Sequence, residues 1–356
     1  MPNILGTRLR ISREKLGLTQ DSLANAVHLS AEFISNLELG KRAPSLETLN
    51  SLAGFFQEDV AYFLEAKETA KEKLFELGEK DKNVKTGMIE FYNTCREFIE
   101  LEAALGLRPE LAPLYSMASA EDIASNERDR MGLGTEPVKN VFSLFDRHGL
   151  HIIRQSLPKD SNISGIFIFF ELEQTAFVLI NNIHNIDHQV FIAVHEYFHY
   201  LKDRNVLVIA DNHDVFVNEY VPLYHPREKL AFTFSLNFLM PRKKIEDIIR
   251  LQFQSRRLKF QDVLYLKRYF GVSTMAVLYA LYNYDCLSSA KFKEFQKKET
   301  SGNENDVPDA HAGKELVSDR LKWMVLEALQ KKKINLEKAS RLLKMKKTVL
   351  LKLTRK

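Results

Sequence analysis

The sequence has 356 residues, 45% hydrophobic and 28% charged, which is room for two or three domains and an ordinary composition for a soluble globular protein. Its two cysteines, Cys95 and Cys286, form no spaced cluster, which points to a reducing compartment and excludes a cysteine-ligated zinc site. Residues 1–10 lack the pattern of a signal peptide and no run approaches the ~20 apolar residues of a membrane span, so a cytoplasmic protein with no membrane partner is expected; a net charge of +4 is too mild to argue nucleic acid by itself.

Leu5 to Leu64 reads as five short helices with tight turns. Leu5, Leu9 and Leu16 give the first an apolar stripe, and Gly17 stops it. Thr19 is an N-cap before 20–27, and Ser30 caps a third helix over 31–37, ended by Gly40. Pro44-Ser45 starts a fourth helix running to Phe55, and a fifth covers about 58–64. Two short helices joined by a tight turn inside a small helical bundle form a helix-turn-helix pattern.

The wording Leu18-Thr-Gln-Asp-Ser-Leu-Ala24, then Ile34-Ser-Asn-Leu-Glu-Leu-Gly-Lys-Arg-Ala-Pro-Ser-Leu-Glu-Thr-Leu49, then Leu52-Ala53 resembles the XRE (Cro/repressor-like) family over about sixty residues. The resemblance implies double-stranded DNA as partner. It implies a phosphate contact at Gln20, at the start of the second helix. The third helix, capped by Ser30, would enter the major groove and present Ala31, Glu32, Phe33, Ser35 and Asn36. Lys41 and Arg42 would meet the DNA backbone. This helix carries no Arg or Lys for guanine; Asn36 suits adenine and Phe33 a thymine methyl. Affinity per head should be modest, so a homodimer on two half-sites is expected.

Residues 65–85 are rich in Lys and Glu and read as an exposed linking helix. Met88 to Leu105 is a firmer amphipathic helix ended by Gly106; whether it joins domains or makes a dimer contact is left open. Ala118 to Met131 and Val138 to His148 read as helices. The pattern then changes to β-rich runs at 151–154, 165–170 and 175–180, the last two joined by the short connection 171–174. The edge of such a sheet suits an extended peptide.

Next comes His195-Glu196-Tyr197-Phe198-His199, an H-E-x-x-H motif within the apolar run Val190 to Leu201. On a helix, positions i and i+4 lie one turn apart on one side, so both imidazoles can reach one metal ion. Glu196 is placed to take a proton from a water in the ion's open position. A second helix is expected over 226–239, with Pro226 in its first turn and Pro241 after its end. Glu228, Ala231 and Ser235 share a face, and the two small residues allow close approach to the histidine helix. Glu228 is therefore the candidate third ligand, the alternative being an acid that complements the helix dipole. Phe232, Leu236 and Leu239 cover a core face. His184 and His188 also have i, i+4 spacing, but Asn181-Asn182 nearby favours an ordinary loop. His213, Tyr224 and His225 are candidate oxyanion donors.

Ser164-Gly-Ile-Phe-Ile168, Leu179-Ile-Asn-Asn182, Phe191-Ile-Ala-Val-His-Glu-Tyr-Phe-His-Tyr200, Glu228-Lys-Leu-Ala231 and Leu239-Met-Pro241 together resemble the ImmA/IrrE family of metallopeptidases, over roughly 115–285. By that resemblance His195, His199 and Glu228 hold zinc, Glu196 is the general base, and the substrate is a protein, a transcriptional regulator. Phe198 departs from the small residue usual before the second histidine, which would narrow the cleft. Phe232 departs from the usual Asn or Asp after Glu-x-x-Ala, removing a polar neighbour of the metal.

Phe260 to Phe270 and Val272 to Leu281 read as helices around Gly271, and 297–313 as a polar linker. Leu316 to Lys356 returns to helix and is basic; a second DNA contact, a dimer contact and a lid on the cleft all remain open for it. The expected fold is mainly α and multidomain. A helix-turn-helix bundle (1–66) and a helical connector (67–112) precede an α+β, gluzincin-like metallopeptidase domain with a small β-sheet (113–290). A linker (291–313) and a C-terminal helical module (314–356) follow. Two functions fit: a DNA-binding regulator with an active zinc endopeptidase domain, or a transcription factor whose peptidase-like domain only senses a ligand or partner.

Overall fold

Five helices make the first of two compact units, Met1–Thr69 and Ala70–Lys356. The structure is a computed structural model and describes residues 4–56, 58, 60–64, 70–77, 81–108, 110–116, 118–158, 161–204, 206, 208–212, 226–254, 257–300, 317–343 and 345–354. In the first unit, α1 (Ile4–Lys15), α2 (Gln20–Ala26), α3 (Ala31–Glu38), α4 (Leu46–Phe56) and α5 (Val60–Leu64) enclose Leu9, Leu23, Ile34, Leu37, Leu52 and Phe63. The caps lie where the sequence puts them: Thr19 Oγ1 accepts the Ser22 N–H, Ser30 Oγ that of Phe33 and Ser45 Oγ that of Thr48, at 3.0–3.1 Å. Each satisfies an N–H that a helix start leaves without a carbonyl. Gly17 and Gly40 take the left-handed backbone (φ +68° and +67°) that ends α1 and α3. One buried carboxylate ties three helices together: Glu38 accepts from Arg13 Nε (2.7 Å) and Gln20 Nε2 (2.8 Å).

The second unit is built on a four-stranded sheet, order β1-β3-β2-β4, with β1 (Leu150–Gln155) parallel to β3 (Thr175–Asn181). The hairpin partner β2 (Ile163–Phe170) lies antiparallel to both β3 and β4 (Val208–Asn212). The fourth strand was not foreseen from sequence. Every residue of β2 and β3 is buried, because helices cover both faces. With a side-chain period of two, Phe167, Phe169, Val178 and Ile180 point into a core shared with α8 (Ala120–Arg130), α9 (Val141–Arg147), α10 (Ile186–Lys202) and α11 (Pro226–Leu239). Ile166, Ile168, Phe170, Phe177 and Leu179 point the other way, onto a second core.

That second core is filled by α6 (Ala70–Leu77), α7 (Lys82–Leu105) and the C-terminal helices α16 (Asp319–Gln330), α17 (Leu336–Leu343) and α18 (Lys347–Thr354). Leu321, Met324 and Val325 of α16 pack with Phe91 and Phe98 of α7. Arg320 reaches Glu102 at 2.9 Å, Lys338 reaches Glu100 at 3.0 Å, and Arg341 pairs with Glu97. Connector, sheet and C-terminal helices thus form one unit. The C-terminal helices lie across the sheet from α10, so they do not form a lid over the motif helix.

Four more helices follow α11: α12 (Arg242–Leu251), α13 (Phe260–Phe270), α14 (Thr274–Asn283) and α15 (Ser289–Thr300). The last corrects the reading of 291–300 as the start of a linker. Phe295 is buried there, and Glu294 pairs with Lys291 and Lys298 along the exposed side, giving a polar stretch the apolar anchor a helix needs. The rest of that expected linker, 301–313, lies outside the described residues, as do 314–316 at the start of the expected C-terminal module.

Candidate metal centre and helix-turn-helix head

α10 is buried from Gln189 to Leu201. Its orientation about its own axis is set by the face turned to α8 and α9. There the Tyr197 hydroxyl donates to Glu127 on α8, Arg130 donates to the same hydroxyl at 2.9 Å, and the Tyr197 ring stacks on Phe145 at 4.1 Å. Phe198 packs against Phe234 of α11, 5.5 Å between ring centroids, so it fills the space between two helices. Phe232 packs on Phe191 and Tyr279.

With the helix so held, His195, Glu196 and His199 are all buried and the two imidazole centroids lie 5.2 Å apart. Glu228, in the first turn of α11, reaches back to them. Its Oε2 is 3.0 Å from His195 Nε2 and 3.5 Å from His199 Nε2. Close approach of the helices depends on Ala231 and Ser235, both with no exposed surface; the Ser235 hydroxyl donates to the Ala231 carbonyl at 2.8 Å. Burial by itself would raise the Glu228 carboxyl; the two imidazoles outweigh it and hold it well below the usual carboxylate range.

Among the described residues, these three side chains are the group whose donor atoms converge as a metal site, all within 4.8 Å of one another. Two donors ~2.0–2.1 Å from a tetrahedral zinc ion stand about 3.3 Å apart. The observed 3.0 and 3.5 Å straddle that spacing, so the donor set fits a small divalent ion. His199 Nδ1 lies 2.8 Å from Asp203 Oδ2, and Arg227, next to Glu228 in sequence, has its Nε 3.4 Å from Asp203 Oδ1.

Glu196 projects against β2. A Cβ built on Gly165 would lie 2.3 Å from Glu196 Oε1 and 2.7 Å from Ile192 Cγ2, so the carboxylate occupies space that only glycine leaves. Sequence reasoning missed both Asp203 and Gly165. Asp203 stands four residues after His199, the helical spacing that brings side chains together; Gly165 is the one glycine in an apolar strand, a sign of close approach. His184 and His188 pack ring to ring at 4.6 Å; His184 precedes α10, but His188 is in its first turn, which corrects the loop reading for that residue. His213, Tyr224 and His225 lie outside the described residues.

In the first unit, Ala31, Phe33, Ser35 and Asn36 are half-buried on α3, Glu32 is exposed, and Ser30, Lys41 and Arg42 are exposed around it. The Arg42 guanidinium covers the Phe33 ring at 4.8 Å, and the Asn36 carbonyl accepts the Lys41 N–H at 2.9 Å. Gln20 is half-buried, with its amide nitrogen on Glu38.

Two domain families match this arrangement. Residues 9–63 match the helix-turn-helix family model, and residues 145–282, which contain His195, Glu196, His199 and Glu228 of the candidate metal site, match the IrrE N-terminal-like domain. The chain therefore joins an XRE-type helix-turn-helix domain to an IrrE-like domain of metallopeptidase-like fold. The HTH-type transcriptional regulator DdrOP3 of Deinococcus deserti is 43% identical over 61 residues, 17% of this chain and 47% of that protein. The matched stretch thus spans about half the length of that relative and is confined to the head. Among the described residues no helix is long and apolar enough to cross a membrane.

Proposed function

We propose that this chain is a DNA-binding regulator whose IrrE-like domain is a zinc endopeptidase. The observation that carries the reading is the convergence of His195, His199 and Glu228 with a buried carboxylate, Glu196, one residue from the first ligand. Zinc held by these three would supply Lewis-acid chemistry, polarising a scissile carbonyl and acidifying water. Glu196 takes the proton of the attacking water and delivers it to the leaving amine. Its packing against Gly165 holds it at one position for both transfers. Asp203 keeps His199 in the tautomer and orientation that offer Nε2. The substrate we propose is a repressor-type regulator protein, another copy of this chain included.

The DNA face is Gln20, Ser30, Ala31, Glu32, Phe33, Ser35, Asn36, Lys41 and Arg42, with α3 in the major groove and two heads on two half-sites. The match to a transcriptional regulator over this segment supports it.

The test is Glu196→Gln, compared with wild type by metal analysis, DNA binding and mass spectrometry of cell proteins after a brief pulse of each form. The variant should keep zinc and DNA binding while cleavage products disappear. Products persisting with metal in place exclude Glu196 as the base. If promoter control depends on the domain and neither form yields products, the domain is a sensor.

A further inference from the structure

The helix pair at the C-terminal end repeats the register of the pair in the head. α2 begins at Gln20 and α3 at Ala31; α17 begins at Leu336 and α18 at Lys347, and both separations are 316 residues. α3 and α18 are each 8 residues long. The cap is repeated as well: Asn335 Oδ1 accepts the Lys338 N–H at 2.8 Å, where Thr19 accepts that of Ser22. So is the core pattern, since Leu23, Val27 and Ile34 have Ala339, Leu343 and Leu350 as counterparts and all six are buried. In each case a preceding helix, α1 or α16, supplies the apolar floor.

The counterpart of α3 differs in charge. From Lys331 to Lys356 there are eleven lysines and arginines against one acid, Glu337. Lys338 and Arg341 pair with α7 and fix the inner side. Lys332, Lys333, Lys346, Lys347 and Lys352 are exposed on the outer side, and along α18 only Leu350 is buried among the residues whose burial is described. Thr348 and Leu351, one turn apart, are exposed between the lysines. A hydroxyl and an apolar side chain flanked by cations suit base edges and a thymine methyl between two rows of phosphates.

We propose that α17 and α18 form a second helix-turn-helix that binds double-stranded DNA, with α18 in the major groove and Lys346, Lys347 and Lys352 on phosphates. This is independent of DNA binding by the N-terminal head. It gives one chain two DNA contacts: one poor in charge, and one whose affinity is mainly electrostatic.

The test is fluorescence anisotropy of the full chain on a duplex of roughly 30 base pairs at graded salt, between about 0.05 and 0.2 M. Four proteins are compared: wild type, a head variant (K41Q/R42Q), a C-terminal variant (K346Q/K347Q/K352Q) and the combination. All five lysines and arginines replaced are exposed, Lys347 and Lys352 on α18 and Lys41, Arg42 and Lys346 in the turns beside α3 and α18, so glutamine there leaves the fold intact, which circular dichroism checks. The C-terminal variant should bind at least about tenfold more weakly at low salt, with a log–log salt slope smaller by about 3, in both head backgrounds. T348A/L351A should change the sequence preference and leave that slope unaltered. A C-terminal variant with wild-type affinity and slope overturns the proposal. So does one that loses binding to phosphatidylglycerol vesicles while keeping DNA binding whole, because the lysines would then serve a membrane surface.

Discussion

The carboxylate of Glu196 lies where the side chain of residue 165 would be, and the chain has glycine there: a Cβ would stand 2.3 Å from Oε1. This close approach across α10 and β2 makes a prediction that the ligands do not. Gly165→Ala should push Glu196 out of line while leaving His195, His199 and Glu228 in place. Metal content should stay at wild-type level and cleavage should fall about 100-fold, the usual cost of a misplacement near 1 Å. Overpacking should add about 1–3 kcal/mol of destabilisation, readable by denaturant melts. Wild-type turnover in this variant would mean that the carboxylate works from elsewhere.

Asp203 is expected to matter to the metal more than to the fold. Asp203→Ala leaves His199 able to rotate and lowers its basicity. Zinc affinity, measured by competition with a coloured chelator, should drop about 10–100-fold, with Asn recovering most of it because its oxygen still accepts from Nδ1. Equal affinities for wild type and the alanine variant would remove Asp203 from the site.

The second core holds a charged cluster with its own pH signature. His151 Nδ1 lies 2.8 Å from Asp146 and its Nε2 3.4 Å from Glu102, which also accepts from Arg320. Burial opposes a charge on His151, but Asp146 and Glu102 outweigh it and raise its pKa above the ordinary 6.5. The protonated ring therefore stabilises the fold fully below pH 6.5, and that contribution is lost as pH climbs through the raised value. Glu102 works in the opposite sense. Burial pushes it up, His151 and Arg320 pull it below 4.5, and its contribution fades as pH falls through the lowered value. Between about pH 6 and about pH 9 the melting temperature of the second unit should fall more in wild type than in His151→Gln. Parallel curves for the two proteins would show that the ring is not charged in the fold.

In the head, Glu38 joins α1, α2 and α3 through Arg13 and Gln20, and both Arg13 and Glu38 are almost fully buried. Glu38→Ala leaves the guanidinium with an uncompensated charge. We expect a loss of about 3 kcal/mol in urea unfolding of the head and a matching loss of DNA binding. An unchanged midpoint would show that water replaces the carboxylate at little cost.

Much of this protein can be read one stretch at a time. The caps at Thr19, Ser30 and Ser45 follow from side chains that reach their own backbone. His195 and His199 follow from a repeat of 3.6 residues per turn, and Glu228 from the Pro226 start and small residues of its helix. The caps and the spacing of the two histidines are local, so the order of residues determines them, whereas Glu228, 33 residues from His195, was picked from the pattern of its own helix and from the family resemblance rather than from a contact. The split into a helix-turn-helix head and an α+β body with a small sheet was legible from the same local patterns. Contacts between distant segments were not. The strand Val208–Asn212, the closeness of Glu196 to Gly165, the helix over 291–300 and the packing of α16 to α18 on the far face of the sheet depend on which apolar surfaces meet. Many pairings satisfy the same pattern of apolar residues, and only close packing in three dimensions selects one of them.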